Sequence, residues 1–326
     1  MTLQQTRAPE RVESSTPAPP EVGRPRQARR RFWSFRTLLL MLVPGLLYLA
    51  VYKYGPMYGV LIAFKDYSIR EGIAGSPWAS PFYTHFEQFW TSPYFSTLMT
   101  NTVLISVYKL VAGTIPPIIV ALLFNECRLR WFRRLAQTVS YMPHFLSWVI
   151  VYGVTIALLS QSTGLVNGFL RDNFGFTIGF LTSNTWFRSV LVGSDLWKDI
   201  GWGAIIYLAA MIGIDRTFYE AARVDGAGRF RQIWHITLPG IRPVIILLLV
   251  LKLGNILDAG FDQVYIFYNI QVYPTGDIID TWVYRAGLEN LNYSLAAAVG
   301  LFKSVIGLVL IVVANRIARR WSAQLW

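Results

Sequence analysis

A chain of 326 residues with 54% hydrophobic side chains and a mean hydropathy of +0.40 is too apolar for a soluble protein of this length. In a soluble chain the net charge of +12 would suggest a nucleic-acid partner, but in a membrane protein basic residues report topology. The single cysteine, Cys127, excludes an internal disulfide and a thiolate metal cluster, and three scattered histidines lack metal-ligand spacing. We therefore expect an all-α polytopic membrane protein, in contact with membrane lipid, with no metal site and no nucleic-acid partner.

The N-terminal segment differs in composition from the rest of the chain. Residues 1–35 are rich in Pro, Ser, Glu and Arg and show no apolar periodicity, which predicts a disordered, basic cytosolic tail. Because basic residues precede an apolar run, a cleaved signal peptide is the alternative interpretation. The run over 37–54 is long and lacks a small-residue cleavage site, which favours a retained first span.

Hydropathy predicts a membrane domain over residues 36–326 with about six transmembrane helices, because a bilayer core about 30 Å thick needs about 20 apolar residues per helix. The predicted spans are residues 36–63, 97–124, 137–160, 187–213, 242–268 and 292–316.

Lysine and arginine are distributed unevenly between the two sets of loops. Most of them lie in the tail, at the C-terminus and in the loops 125–136 and 214–242, whereas the loops 64–96, 161–186 and 269–291 hold few. Because basic loops remain in the cytosol, we expect both termini and the 214–242 loop to face it. The sparsely charged loops are rich in aromatic residues, which suit either an interfacial belt or a docking surface for an external protein.

The loop 214–242 contains a pattern typical of two short helices joined by a tight turn. Asp215 is placed to cap the first helix, and Gly226 permits a backbone reversal that a residue with a Cβ would resist. A second helix with apolar residues at helical spacing is predicted over 229–236. Leu238-Pro239 is expected to end it, because proline removes a backbone donor. The alternative to this helix-turn-helix bracket is an ordinary basic loop.

The fixed positions of this loop match a known spacing. Glu220-Ala221-Ala222 is followed by three residues, Gly226, nine residues and Ile236-Thr237-Leu238-Pro239, which resembles the EAA loop of binding-protein-dependent ABC importer permeases. Other stretches, such as YGPMYGVLIAFKDY (54–67) and DLWKDIGWGAIIYLAAM (195–211), resemble the LplB-type branch of the MalF-like carbohydrate-uptake permeases. The resemblance runs from about residue 36 to the end of the chain.

This resemblance implies an architecture and a set of partners. It implies a MetI-like permease bundle that forms half of the translocation path for a sugar, with an oligosaccharide favoured, in a bacterial cytoplasmic (inner) membrane. The implied partners are a second homologous permease subunit in a heterodimer, two cytosolic ATPase subunits and an extracytoplasmic solute-binding protein.

Energy must then enter from another subunit. The sequence contains no G-x-x-x-x-G-K-[ST] motif, so we expect this chain to bind no cofactor, with ATP and Mg used by the partner ATPases. On this interpretation the loop docks in a groove of the ATPase and couples hydrolysis to transport. The predicted coupling residues are Glu220, Ala221, Ala222, Asp225, Gly226, Ile236, Leu238 and Pro239.

Polar residues within the fourth and fifth spans suggest a substrate path, because ionisable groups in hydrocarbon are costly and usually functional. The predicted path residues are Lys198, Asp199, Trp202, Lys252, Asn255 and Asp258, with Tyr265 a further candidate for stacking on a sugar. Those of span five, with Asp262, are expected to share one helical face. The alternative is structural: Asp195 and Lys198 neutralise each other, Asp262 lies near the outer water, and Lys109 and Lys303 bridge helices or snorkel.

Two other classes of function would need sequence features different from those of a transport subunit. A membrane-embedded enzyme would need a catalytic cluster, and the sequence contains no H-E-x-x-H, G-x-S-x-G or D-x-D motif, so no catalytic residues are predicted. An ATP-independent carrier or channel would not need a cytosolic loop of this pattern.

Overall fold

The computed structural model describes residues 36–319, and the tail predicted over 1–35 lies outside them. Apart from an isolated bridge between Lys65 and Trp78, the regular elements of the described range are all helical, which confirms the predicted all-α fold. The described residues divide into two units, one up to Tyr58 and one from Gly59 onward.

The described part of the first unit is one apolar helix. α1 covers Arg36–Leu49 and continues as a π-helical turn over Ala50–Tyr54. Its side chains from Leu40 to Tyr54 are exposed almost throughout, as a helix surrounded by lipid requires. A 3₁₀ stretch, Gly55–Phe64, carries the chain into the second unit.

The second unit is built around one long helix, α6 (Phe187–Ile212), which packs against most of the others. Short helices in the connections cover Gly72–Gly75, Thr84–Trp90, Leu165–Phe174 and Tyr273–Gly276. The main helices before and after α6 are α2 (Phe95–Ala112), α3 (Ile115–Glu126), α4 (Arg130–Tyr141), α5 (Trp148–Leu159), α7 (Arg216–Val224), α8 (Arg229–Gly254), α9 (Phe261–Phe267), α10 (Ile279–Tyr284) and α11 (Tyr293–Arg319).

Two buried clusters fix the position of α6. Near its N-terminus, Phe187 and Leu191 pack with residues of α2, α5 and α9, and near its C-terminus Ala204 and Tyr207 pack with residues of α3 and α8. Between them the backbone at Gly201 lies so close to α4 that a Cβ there would overlap the Ser140 carbonyl. Glycine at this position therefore lets α4 lie against the middle of α6.

Residues 137–160, predicted as one span, form two helices with a sharp bend between them. The segment Arg130–Phe145, which contains α4 and a 3₁₀ turn, meets α5 at 109°. Pro143 lies in the 3₁₀ turn, and Ser147 caps α5 by accepting a hydrogen bond from the Ile150 N–H at 3.4 Å. Hydropathy cannot detect such a bend, because both arms are apolar enough to count as one segment.

Residues 242–268, predicted as one helix, are also broken. α8 begins at Arg229, ends at Gly254 and is followed by a 3₁₀ turn over Ile256–Asp258 and the short α9. The prediction that Leu238-Pro239 ends a separate second helix is wrong. A π-helical turn over Ile233–Thr237, in which the Leu238 N–H bonds to the Ile233 carbonyl, precedes the proline and lets the helix continue through it.

Four described helices are long and apolar enough to cross a bilayer: Leu39–Phe64, Phe95–Glu126, Arg229–Gly254 and Tyr293–Ile317. The bent pair of α4 and α5 and the pair of α6 and α7, inclined by 70°, would bring the number to six.

Candidate functional site

A cavity of about 550 Å³ opens where α8 ends, between α2, α6 and the residues that follow α8. Its walls bring together groups that are distant in sequence. Five of the six predicted path residues line it: Asp199, Trp202, Lys252, Asn255 and Asp258.

The cavity exists because the fifth span unwinds over residues 255–260, which we call the 255–260 break. Asn255 leaves the helical conformation, and Ala259 and Gly260 both have positive φ, 45° and 82°. A non-glycine residue in this conformation costs roughly 1–2 kcal/mol, so neighbouring groups must stabilise it. Lys109 of α2 does so: its Nζ donates to the Ala259 carbonyl at 2.8 Å and to Gln263 Oε1.

A second lysine holds the break from the opposite side. Lys303 Nζ of α11 lies 2.6 Å from Asp258 Oδ1 and donates to both carboxylate oxygens of Asp280 at 2.7 Å. Lys109 and Lys303 thus bridge helices, one of the two roles considered for them. Their partners lie far away in sequence, and no local pattern identifies them.

His144 and Trp202 form one wall of the cavity. Their rings stack with centroids 4.4 Å apart and planes inclined by 1°, and His144 Nδ1 lies 2.6 Å from Asp199 Oδ1. His144 is not among the residues predicted from the sequence, because it lies in the bend between α4 and α5, which hydropathy does not reveal. The arrangement offers a carboxylate and two flat ring faces, the kind of surface that binds hydroxyl-rich ligands.

Lys198, also predicted to line the path, does not reach the cavity. Its side chain is buried, its Nζ donates to the His144 carbonyl, and it lies 5.6 Å from the centre of the Trp148 ring. The alternative pairing of Lys198 with Asp195 is also wrong, because Asp195 Oδ1 lies 3.5 Å from Lys109 Nζ. Lys198 and Asp195 therefore lie within one turn of α6 but have different partners. Lys198 bonds to the His144 carbonyl, and Asp195 pairs with Lys109.

The expected helical face of span five does not exist, since α8 ends before Asn255. Lys252, Asn255 and Asp258 still meet in the cavity because the chain unwinds there, whereas Asp262 is exposed and does not line it. Lys252 Nζ donates to the Gly113 carbonyl between α2 and α3.

Ser106 was missed by the sequence analysis. It lines the cavity, and its buried Oγ has no hydrogen-bond partner in the part of the chain that the structure describes.

The second candidate region is the helical bracket formed by residues 215–242, which we call the coupling bracket. Asp215 caps α7 by accepting a hydrogen bond from the Thr217 N–H at 2.9 Å, as predicted, and this bond holds the pKa of Asp215 below its usual value. Gly226 has a φ of +75°, which only glycine adopts without strain. The Gly226 N–H bonds to the Arg223 carbonyl and the Ala227 N–H to the Ala222 carbonyl, so α7 ends in a Schellman motif.

Three contacts hold the coupling bracket together and attach it to the bundle. Tyr219 Oη lies 3.0 Å from Thr237 Oγ1, and Gln232 Nε2 donates to the Ala227 carbonyl at 2.7 Å. Arg229 Nη1 lies 3.5 Å from Glu126 Oε2 at the end of α3. The two arms are therefore joined by side-chain contacts as well as by the turn.

Most predicted coupling residues lie at the surface of the bracket. Glu220, Ala221, Asp225, Gly226 and Pro239 are exposed, and Ala222, Ile236 and Leu238 are half-buried. Large apolar side chains are exposed beside them: Phe218, Val224, Phe230 and Trp234. A bracket with this much exposed apolar surface is suited to bind another protein.

Comparison with known proteins places this architecture in a family. Residues 113–323 match the family described as "Binding-protein-dependent transport system inner membrane component". The chain belongs to this family. It is 45% identical to protein LplB of Bacillus subtilis (strain 168), over 88% of this chain and 90% of the relative.

Two further relatives agree in fold and sequence. The polygalacturonan/rhamnogalacturonan transport system permease protein YteP of the same organism is 43% identical, over 88% of this chain and 89% of its own length. A bacterial alginate ABC transporter, solved in complex with an alginate pentasaccharide-bound periplasmic protein, has a chain of similar structure, with a TM-score of 0.83 and 38% identity over 90% of this chain and 98% of that one. The protein is thus a multi-pass inner-membrane permease, a transport subunit rather than an enzyme.

Proposed function

We propose that the chain forms half of the translocation path for an oligosaccharide and that the cavity at the 255–260 break is its part of the substrate site. The observation that carries this proposal is the convergence of Asp199, Trp202, Lys252, Asn255 and Asp258 on one cavity at an unwound span. Irregular backbone at membrane depth is stable only where protein or a water-filled cavity surrounds it. The relatives that transport polygalacturonan, rhamnogalacturonan and alginate support a saccharide substrate.

The chemistry of the cavity supports the same class of ligand. The stacked rings of His144 and Trp202 offer an apolar face to a pyranose, and the amide of Asn255 and the ammonium of Lys252 offer hydrogen-bond donors beside it. Ser106 Oγ, which has no partner among residues 36–319, can exchange hydrogen bonds with a sugar hydroxyl.

On this proposal the coupling bracket docks in the partner ATPase and receives the energy of ATP hydrolysis. Val224 and Phe230, with exposed fractions of 89% and 79%, flank the turn at Gly226, so an ATPase groove that receives the turn would cover both. Because the bracket continues without interruption into α8, displacing it moves the helix that ends at the cavity. ATP and Mg are used by the partner subunits on this proposal, and two such ATPases serve a heterodimer of this chain and a second permease.

The connections at the opposite end of α6 are proposed to receive the solute-binding protein. They expose large aromatic side chains that a lipid-facing belt or a protein partner would cover: Trp78, Phe82, Trp90 and Tyr94. The periplasmic protein bound to the alginate transporter supports the second of these uses. Both termini and the coupling bracket would then face the cytosol.

Two tryptophans on α6 allow a matched test of the substrate site. Trp202 lines the cavity, whereas Trp197 does not, and both have about the same exposed fraction, 43% and 42%. We expect Trp202→Ala to lower uptake about tenfold, the equivalent of one lost stacking contact of about 1.4 kcal/mol, and Trp197→Ala to leave it unchanged.

The measurement is uptake of a panel of labelled neutral and uronate oligosaccharides by cells that carry each variant as the sole copy. Membrane levels of both variants should match the wild type. Equal uptake by the two variants would place the sugar outside this cavity.

A further inference from the structure

The helix α4 has an exposed apolar stripe that the transport function does not explain. Trp131, Leu135 and Val139 follow one another at four-residue spacing and are 66%, 52% and 59% exposed. Phe132 and Met142 extend the stripe and are also exposed. Residues four apart lie on the same face of a helix, so these side chains form one continuous apolar surface.

Arginines cluster at the N-terminal end of the same helix. Arg128, Arg130 and Arg134 are exposed and Arg133 is half-buried, whereas residues 135–141 carry no charge. Within the described part of the chain, none of these four guanidinium groups has a hydrogen-bond or ion-pair partner. The arginines therefore lie at one end of α4 and on a different face from the apolar stripe.

The position of α4 against α6 gives the depth of these arginines in a membrane. Ser140 lies against Gly201, close to the middle of α6. From Arg130 to Ser140 the helix rises about 15 Å, since each residue adds about 1.5 Å. That rise is half of a hydrocarbon core about 30 Å thick. If the middle of α6 lies at mid-membrane, the arginines reach the level of the lipid headgroups.

The contacts of α3 show on which side of the bundle these arginines reach the lipid headgroups. α3 ends at Glu126, which pairs with Arg229 of the coupling bracket, and the chain then enters α4 directly. The arginines therefore lie on the same side of the bundle as the bracket.

We propose that α4 enters the membrane from the headgroup level on the bracket's side and that the arginines at its N-terminal end bind anionic phospholipids of that leaflet. Its stripe lies among the acyl chains, and its unpaired guanidinium groups bind lipid phosphates, whose oxygens they can engage with two hydrogen bonds at once. Clusters of lysine and arginine beside the end of a membrane helix commonly bind anionic headgroups. The same segment leads into the turn that holds His144 against Asp199, so the lipid site and the cavity wall are continuous in the chain.

The first test measures lipid selectivity of the purified full-length chain. Delipidated protein in a nonionic detergent is given an equal mixture of phosphatidylglycerol and phosphatidylcholine, and retained lipid is measured by native mass spectrometry. We expect the wild type to retain phosphatidylglycerol preferentially. The variant Arg128→Gln/Arg130→Gln/Arg134→Gln should lose about tenfold or more of that preference, since each basic residue near an anionic surface contributes roughly fivefold.

The matched control changes the same number of charges in the coupling bracket. Arg216, Arg223 and Arg231 are exposed there, and their triple change to Gln should keep the preference. All six side chains are exposed, so both variants should fold, which elution as a single species and an unchanged melting temperature would verify. Equal retention of the two lipids by the wild type, or equal loss by both variants, would overturn the proposal.

The second test asks what covers the stripe. In a Cys127→Ser background, a fluorescent label at Leu135→Cys is compared with one at Val224→Cys in phosphatidylcholine vesicles with added phosphatidylglycerol, with and without the copurifying subunits. A lipid-borne quencher should reach position 135 and iodide should not, with or without the subunits. Iodide should reach position 224 in the chain alone and should be excluded from it when the ATPase subunits are bound. Protection of position 135 from the lipid-borne quencher would show that a protein occupies the stripe and would overturn the proposal.

Discussion

Tyr219 Oη and Thr237 Oγ1 lie 3.0 Å apart and join the two arms of the coupling bracket. Thr237 is buried and lies in the π-helical turn through which the second arm becomes α8, whereas Tyr219 is half-buried on α7. A force applied to α7 therefore reaches α8 through this contact as well as through the turn at Gly226.

The first prediction removes this contact. Tyr219→Phe deletes one hydroxyl and leaves the buried Thr237 hydroxyl without this partner, which costs about 1–3 kcal/mol. Both arms keep their helices, so we expect normal membrane levels and retained ATP hydrolysis, with fewer sugar molecules imported per ATP. The measurement is the ratio of uptake to hydrolysis in reconstituted vesicles.

Tyr108→Phe is the control for this prediction, because Tyr108 is an exposed tyrosine of α2 outside the bracket. An unchanged ratio in Tyr219→Phe would mean that the turn alone transmits the force.

The sequence predicts the coupling bracket well because its determinants are local. The cap at Asp215 and the positive φ at Gly226 depend on residues within a few positions of each, and both are observed. The same loop also shows the limit of local rules. Pro239 does not end the second helix, because the π-helical turn before it changes the hydrogen-bond register, and no propensity argument anticipates that turn.

The cavity is less predictable because it depends on distant contacts. A hydropathy profile averages over many neighbouring residues, so it predicts one continuous span across the 255–260 break. The break is stabilised by Lys109 and Lys303, which lie on α2 and α11. For the same reason, the sequence predicts Lys198 as a path residue from its neighbours in the chain. Its Nζ instead donates to the carbonyl of His144, which lies in the 3₁₀ turn after α4.

A second prediction tests the ion pair of Lys303 and Asp280 with a double-mutant cycle. Lys303→Met leaves the half-buried Asp280 without its cation, which should lower the free energy of unfolding by about 3 kcal/mol. Adding Asp280→Asn removes the uncompensated charge and should restore most of that loss. The measurement is thermal unfolding of the purified chain in detergent. If the two changes simply add, Lys303 and Asp280 are not coupled and this part of the contact around Lys303 does not stabilise the fold.

A third prediction concerns orientation. In a Cys127→Ser background and in cells without the ATPase subunits, Ser162→Cys and Val224→Cys place exposed thiols in the predicted outer loop and in the coupling bracket. A membrane-impermeant maleimide added to intact spheroplasts should label position 162 and should reach position 224 only after the membrane is opened. Because few lysines and arginines lie in the loop 161–186, the opposite pattern would refute the topology.

The most direct test of the account compares two glycines of the coupling bracket. Gly226 has a φ of +75° and Gly228 a φ of −68°, and at neither position would a Cβ meet another atom within 4 Å. Valine is therefore free of clashes at both, and only at position 226 does it adopt a conformation that costs of order 1–2 kcal/mol and redirects the second arm.

The decisive measurement is binding-protein-stimulated ATP hydrolysis together with sugar uptake, for Gly226→Val and Gly228→Val beside the wild type in reconstituted membranes. We predict that Gly226→Val reaches the membrane normally but loses stimulated hydrolysis or its coupling to uptake, whereas Gly228→Val retains both. Full stimulated hydrolysis and full uptake by Gly226→Val would contradict the assignment of the bracket as the energy input.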